Sequence, residues 1–554
     1  MTSLLSRLPS SAAGIVAGSW HYRPRVSTEC LTLIVTVVFT LLYNIPFWQG
    51  ALDGHAWSAP GTWLLIAGYA VVLTSLQYVV FLLFVSRWTA KPLLALLILV
   101  AATVSYFTGT YGTYFDTTMI TNVLQTDSRE AGELLTESFA LHMAVFALLP
   151  IALLHRVRIP AISWRRAVLR RLGYLSLAAI ALIASVLLTY HSLSPLMRNR
   201  PELRYLVTPG NYLVSMGRVL TAHDSVEPQQ RLPLESDAKL AAHPGHKPAL
   251  LVIVVGETAR AANWGLNGYH RQTTPQLAQR DVINYPDVSS CGTSTAVSVP
   301  CMFSPLGHED YDESYIDSHE SLLDVLRHAG VNVLWLDNQS GCKGVCDGVA
   351  SEYIAPDDYP ALCQDGRCLD GALAKELKRR VERSHGDTVI VLHELGNHGP
   401  SYYQRYPEAF RRFTPTCDSA DLSQCSQQRI VNSYDNAILY NDTVLSDIID
   451  FLARQQRFAA SMVYLSDHGE SLGEHGLYLH GLPYAIAPDE QTHVPMIWWL
   501  SKAMQRRASI DSSCLRSNAD RPHSHANLFH SVLGIMGVTT QVYRPEFDIV
   551  SSCR

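Results

Sequence analysis

The sequence predicts an α/β protein in two parts: a transmembrane domain of five helices, then an external domain with a mostly parallel sheet covered by helices. Three observations carry this. Five apolar stretches fall before residue 191, and no comparable run follows. Lys and Arg alternate along the connections between those stretches. From Pro248 onward, short continuous Val/Ile/Leu runs alternate with helix-like stretches, the pattern of strands buried on both faces.

The apolar stretches are Cys30–Phe47, Trp63–Val85, Pro92–Thr110, Phe139–Leu154 and Leu172–Tyr190. Most approach the ~20 residues a helix needs to cross ~30 Å of hydrocarbon; Phe139–Leu154 is the shortest. Arg7, Arg23 and Arg25 precede the first, Arg87 and Lys91 lie between the second and third, and Arg156, Arg158, Arg165, Arg166, Arg170 and Arg171 crowd the fourth connection. Residues 48–62 contain no Lys or Arg, and residues 111–138 set Asp116, Asp127, Glu130, Glu133 and Glu137 against Arg129 alone. Cationic connections stay inside, so five crossings place everything after Tyr190 outside. Buried helices of a soluble protein would not produce this alternation. A cleaved leader is not expected either, because Ala12–Gly18 is only weakly apolar and the run near residues 31–43 extends into a full span.

Cysteine usage agrees with that orientation. Of eleven cysteines only Cys30 lies in the membrane half; the other ten follow residue 290, as expected of an oxidising compartment. Pairing by adjacency gives 291 with 301, 342 with 346, 363 with 368 and 417 with 425, leaving 514 with 553. Cysteine-rich zinc sites are disfavoured because no paired CxxC sets occur, although Cys342 and Cys346 alone have the form of a ligand pair. The net charge of -6 is mild and gives no reason to propose nucleic acid.

Residues 1–190 therefore read as the membrane domain, 191–247 as a polar, Pro-punctuated connector, and 248–554 as the catalytic domain. Strand-like runs are Leu250–Val255, Val331–Leu336, Val389–Leu392, Met462–Leu465 and Val494–Leu500; helical candidates include Glu320–His328, Ala372–Arg383 and Asn436–Arg454. Three of the strands end in chemistry: Glu257 after the first, His393 and then Asn397-His398-Gly399-Pro400 after the third, and Asp467-His468 after the fourth. Open parallel sheets bind ligands outside the carboxyl ends of their strands, so these residues suggest a metal-assisted site. Asp467 and His468 are the strongest pair, since burying them together without a metal would leave a costly charge. His393, His475 and His493 read as structural. Between the first two strands Cys291 and Cys301 bracket Thr293, Ser294, Thr295 and Ser298. A hydroxyl becomes a useful nucleophile once a base or metal lowers its pKa, and spacing does not choose among the four.

These residues resemble the lipid A phosphoethanolamine transferases, which include the transferable colistin-resistance enzymes and belong to the alkaline phosphatase/sulfatase superfamily. The likeness rests on Gly256-Glu257-Thr258-Ala259-Arg260, the Cys291–Cys301 segment, Asn397–Pro400, Ser466–Glu474 and Tyr478-Leu479-His480-Gly481. It implies an alkaline-phosphatase-like periplasmic domain and an inner-membrane enzyme. Thr295 would be the nucleophile, with Glu257, Thr295, Asp467 and His468 around a first zinc ion. His398 and His480 would bind a second zinc or contact the phosphoryl group, so one or two Zn²⁺ ions are expected and Mn²⁺ is disfavoured. Lys343 matches a substrate-pocket lysine. Asn122, Thr126 and Glu130, spaced four apart, match residues attributed to lipid handling, and that spacing would put them on one helical face. Gln339 and Gln427 depart from the Asn and His of some relatives. Phosphatidylethanolamine would be the donor, a lipid A phosphate the acceptor, and the protein a monomer. Transfer to Kdo or heptose, a phosphoglycerol transferase and a phosphatase are the rivals; a sulfatase would need a Cys/Ser-x-Pro-x-Arg element, which is absent.

Overall fold

The computed structural model describes residues 23–126, 128–223, 231–234 and 237–554. Arg7, Ala12–Gly18 and Asp127 lie outside the described residues, as do positions 224–230 and 235–236 of the expected connector. The chain forms two compact units. One joins the described residues up to Thr110 with Glu137–Val214; the other joins Tyr111–Thr136 with Ser215–Arg554.

In the first unit, helices Pro60–Phe84, Ala90–Tyr111, Glu137–Arg156 and Trp164–Asn199 are long and apolar enough to cross a membrane. A fifth crossing is the bent pair Thr28–Tyr43 and Ile45–Ala51, which meet at 59°, so the unit has four to five spans. Buried Asn44 occupies the break. Its amide donates to the carbonyls of Phe39 and Thr208, both at 2.8 Å, and its side-chain oxygen accepts from the Thr208 N–H at 2.8 Å. A broken helix survives in lipid only when such freed backbone groups find partners. The short fourth stretch lies inside the helix Glu137–Arg156, which includes a π-helical turn at Ala144–Leu148. The fifth lies inside a 36-residue helix that remains helical to Asn199.

The second unit is built on a seven-stranded sheet. Its strands in chain order are β1 (Ala249–Gly256), β2 (Ile283–Tyr285), β3 (Asn332–Asp337), β4 (Ala350–Tyr353), β5 (Thr388–His393), β6 (Ala459–Ser466) and β7 (Met496–Leu500). They lie in the order β2-β7-β6-β1-β5-β3-β4. β6, β1, β5, β3 and β4 are parallel, while β7 runs antiparallel to both its neighbours, β6 and the edge strand β2. β1, β5 and β6 are buried throughout, as continuous apolar runs require. Helix Gly371–Arg383 and the 27-residue helix Gln427–Ala453 are among those that pack in this unit. Ser321 opens helix Leu322–His328 with a capping box closed by Asp324. All five disulfides pair as adjacency predicts.

Candidate metal centre and nucleophile

Strand register brings the acidic groups together. Ser466 of β6 pairs with Gly256 of β1, so the next residues, Asp467 and Glu257, leave the sheet side by side. β5 ends at His393 opposite Val255, and β3 ends at Asp337 opposite His393. Glu257, Asp467 and His468 are fully buried and offer one donor atom each within 4.8 Å of one another.

The protonation pattern suits a cation. His468 Nδ1 lies 2.9 Å from the Gly469 carbonyl oxygen, which can only accept, so the ring proton sits on Nδ1 and Nε2 keeps its lone pair. Burial brings the His468 pKa down to about 4 and keeps the ring neutral. Nε2 lies 3.3 Å from Asp467 Oδ2 and 3.5 Å from Glu257 Oε1. Asp467 Oδ1 accepts from the N–H groups of Thr258 at 3.1 Å and His468 at 2.7 Å. Its Oδ2 is buried without a hydrogen-bond partner among the described residues. Burial, then the charge of Asp467, pushes the Glu257 carboxyl well above the usual range. Two carboxylates, one of them with an orphaned oxygen, and an imidazole lone pair converge on one point, and these donors fit a small divalent cation.

The hydroxyl loop is resolved by geometry. Thr295 begins the helix Thr295–Met302, bracketed by the Cys291–Cys301 disulfide. Its Oγ1 lies 3.1 and 3.3 Å from the Glu257 carboxylate oxygens and 3.4 Å from His468 Nε2. Thr293 instead donates to the Leu482 carbonyl at 2.6 Å, and Ser298 Oγ accepts from the Gly292 N–H at 3.1 Å. Ser294 Oγ is buried and has no hydrogen-bond partner. The backbone bends to form the cluster: Thr258 has φ 52°, an unusual conformation for a β-branched residue of the kind that collects at functional sites. Gly396 has φ +57°, and a Cβ there would lie 2.5 Å from the Glu257 carbonyl oxygen.

A ring of histidines adjoins the cluster. His480 lies 4.3 Å from His468 and 5.2 Å from His398, centroid to centroid. Its Nδ1 is 2.8 Å from buried Glu470, whose other oxygen accepts from Tyr402 at 2.6 Å. His398 Nε2 is 2.9 Å from Glu130. Burial opposes the charge on both groups, but each outweighs it in the other: Glu130 is held down to about 2 and His398 is raised to about 9. Gln339 Nε2 donates to Glu257 Oε2 at 3.1 Å. Lys343 Nζ donates to Ser340 Oγ at 2.9 Å, to its carbonyl at 3.2 Å and to the Gln125 carbonyl at 3.3 Å.

One expectation is corrected. Asn122, Thr126 and Glu130 do not share a helical face. The helix Thr117–Gln125 stops at Thr126, whose backbone is extended and whose hydroxyl turns back to the Asn122 carbonyl at 2.7 Å; Glu130 belongs to a second helix, Ser128–Glu133. A helix continued past Gln125 would not turn Thr126 to extended backbone, and the hydroxyl satisfies a carbonyl the break leaves open. Gln427 is exposed in the first turn of its long helix. His393 is buried against Asp337 at 3.0 Å, His475 is exposed, and His493 faces Asp287 and Asp489 at 3.6 Å. None belongs to the metal cluster.

Sequence reasoning passed over Glu470, Arg405 and Gly396. Glu470 lies inside the Ser466–Glu474 run, where a buried carboxylate two residues past His468 was a usable signal. Arg405 is 4% exposed and donates from Nε to the His398 carbonyl at 2.7 Å; nothing local in the sequence marks it.

Comparison with known proteins agrees with this architecture. A family described as "Phosphoethanolamine transferase EptA/EptB" matches residues 73–223, and one described as "Sulfatase" matches residues 249–538. The chain is 39% identical over 544 residues to phosphoethanolamine transferase EptA of Escherichia coli strain K12, covering 96% of this chain and 98% of the relative. It is 39% identical over 496 residues to phosphatidylethanolamine transferase Mcr-1 of Escherichia coli, covering 87% and 91%. The integral membrane lipooligosaccharide phosphoethanolamine transferase A of Neisseria meningitidis matches with TM-score 0.93 and 37% identity, over 96% of this chain and all of that one.

Proposed function

Because the chain belongs to the phosphoethanolamine transferase family, we propose that it moves phosphoethanolamine from phosphatidylethanolamine to a phosphate of lipid A, with Thr295 as the nucleophile. It is an inner-membrane protein whose second unit is the periplasmic domain. The observation that carries the proposal is the Thr295 hydroxyl, 3.1 Å from Glu257 and 3.4 Å from His468 Nε2, inside a buried cluster with an unsatisfied Asp467 oxygen.

Glu257, Asp467, His468 and Thr295 Oγ1 would hold the cation, zinc by the character of its donors, which when bound lowers the hydroxyl pKa and screens phosphate charge. Glu257 receives the Thr295 hydroxyl hydrogen bond and orients the oxygen for attack on the donor phosphorus. The P–O bond to diacylglycerol breaks as the bond to Thr295 Oγ1 forms, and the departing oxygen takes the proton that Thr295 gives up. In the second half an acceptor phosphate oxygen attacks the same phosphorus, and Thr295 leaves and takes up one proton from the medium. Phosphoryl transfer is won mainly by positioning and charge stabilisation. Glu470 fixes the His480 ring, and Glu130 keeps His398 cationic; both imidazoles then face the same phosphoryl space. The buried cluster excludes water, the competing acceptor.

Adding an amine to lipid A phosphates lowers surface negative charge and weakens cationic peptide binding, polymyxins included. The test is mass spectrometry of lipid A from cells expressing the intact chain or Thr295→Ala. The phosphoethanolamine increment is expected with the first and lost with the second; an unmodified lipid A with the intact, folded protein would remove the proposal.

A further inference from the structure

An arginine cluster lies beside this centre, in a place the proposed chemistry has not used. Arg405 Nη2 donates to both oxygens of Glu133, at 3.1 and 2.9 Å. Arg367 is ion-paired with the same carboxylate, and Arg129 reaches the Gly366 carbonyl next to it. The Arg405 side chain is 2% exposed, and its Nη1 is buried with no hydrogen-bond acceptor among the described residues. Burial lowers the Arg405 pKa to about 10, with only partial compensation from nearby carboxylates. One carboxylate thus serves two guanidinium groups, and a buried donor is left over.

Two cavities meet at this cluster. A small one of about 80 Å³ is lined by Arg405, Arg367 and Glu133 together with His398, Glu130 and Gln339. A larger one of about 920 Å³ shares Arg129, Arg367 and Arg405. Gln339 links the first to the nucleophile, since its amide is 3.1 Å from the Glu257 carboxylate that accepts from Thr295 at 3.1 Å.

We propose that Arg405 and Arg367 form the subsite for the acceptor's phosphomonoester, and that Glu133 holds that place until the phosphate displaces it. This rests on the transferase reading above. Paired guanidinium groups match a phosphate dianion better than a carboxylate, because they offer forked donors and the dianion offers three oxygens and a second charge. The orphaned Arg405 Nη1 gains the acceptor it lacks. A phosphodiester donor carries one charge and fewer free oxygens, so the cluster favours the acceptor. Glu133 ends the helix Ser128–Glu133, four residues before the apolar helix Glu137–Arg156, a sequence position suited to a phosphate carried on a lipid.

The test uses the full chain in detergent with two readouts: labelling of Thr295 by phosphatidylethanolamine alone, by peptide mass, and transfer to lipid A at varied acceptor concentration. Arg367→Gln should raise the acceptor KM at least about tenfold while Thr295 labelling keeps its rate. Glu133→Gln should lower that KM severalfold, and inorganic phosphate should inhibit competitively against acceptor, not donor. In unmodified protein, inorganic phosphate should also slow phenylglyoxal modification of Arg367, a measurement that needs no variant to fold. Equal slowing of labelling and transfer, competition against donor, or no protection of Arg367 would overturn the subsite and leave a structural ion-pair cluster. If Thr295 is never labelled in the unmodified protein, the transferase mechanism itself fails, and that result is distinct from the others.

Discussion

Replacing Glu130 by Gln isolates the energy of one buried ion pair. The pair lies between the segment Tyr111–Thr136 and the rest of the second unit. His398 is raised from 6.5 to about 9 and Glu130 lowered from 4.5 to about 2. Each departure is what remains of the pairing after burial has opposed it, and it corresponds to roughly 3 kcal/mol. Breaking a buried pair by removing one partner costs about as much. The sign follows from linkage. The raised His398 contributes stability that is complete below pH 6.5 and is lost as pH rises through about 9. The depressed Glu130 contributes stability present above pH 4.5 and lost only as pH falls through about 2. The pair is therefore worth most between pH 4.5 and 6.5. In Glu130→Gln, burial and the neighbouring Arg405 cation oppose charge on His398, while Glu257 favours it. Amide hydrogen exchange of residues 128–133, in protein stripped of metal by a chelator, reads the local opening directly. At pH 6 protection should fall about 100-fold in the variant, the equivalent of about 3 kcal/mol, and at pH 9.5 the two proteins should converge. Equal protection at pH 6, or a gap that does not change with pH, would refute this account of the pair.

Other outcomes follow from the same geometry. Glu470→Gln removes the charge that fixes the His480 ring; turnover should fall about 10–100-fold, the usual cost of losing an orienting partner, with little change in circular dichroism. Gly396→Ala forces a side chain at φ +57° against Glu257, so it should lower bound metal by elemental analysis and destabilise the unit by about 1–3 kcal/mol or more. Chelation leaves Glu257 and Asp467 buried together; Glu257, with its pKa raised, costs the stripped protein stability as pH rises above 4.5, so the gain in melting temperature on adding Zn²⁺ should be larger at pH 8 than at pH 5.5. Removing Cys514–Cys553, with its 39-residue separation, should cost about 4 kcal/mol by loop entropy, more than any shorter bridge, and thiol titration of the unreduced, unfolded protein should find Cys30 alone; ten further free thiols would contradict the pairing.

What the sequence made legible was local. The apolar runs lie in strands β1, β3, β5, β6 and β7; of these β1, β5, β6 and β7 are buried throughout, and strands buried on both faces are continuous in Val, Ile and Leu. Asp467 and His468 stood out because two costly groups follow a buried strand. The short strands β2 and β4 were not visible: three or four residues at sheet margins carry no period to read. Thr295 shows where pattern stops. Four hydroxyls crowd the loop between Cys291 and Cys301, and contacts made far along the chain separate them: Thr293 goes to the Leu482 carbonyl, while Thr295 meets Glu257. The acidic segment after the third apolar stretch is the sharper case. Its spacing of four suggested a single helical face, yet Thr126 breaks the helix, and the partners of Glu130 and Glu133 are His398, Arg405 and Arg367. Glu133 and Arg405 are 272 residues apart, and neither lies in a period that names the other. A carboxylate in a connection between membrane spans reads as solvated until the cation that desolvates it is known. That cation is Arg405, itself unmarked by any motif, so pairing of this kind emerges only from the folded chain.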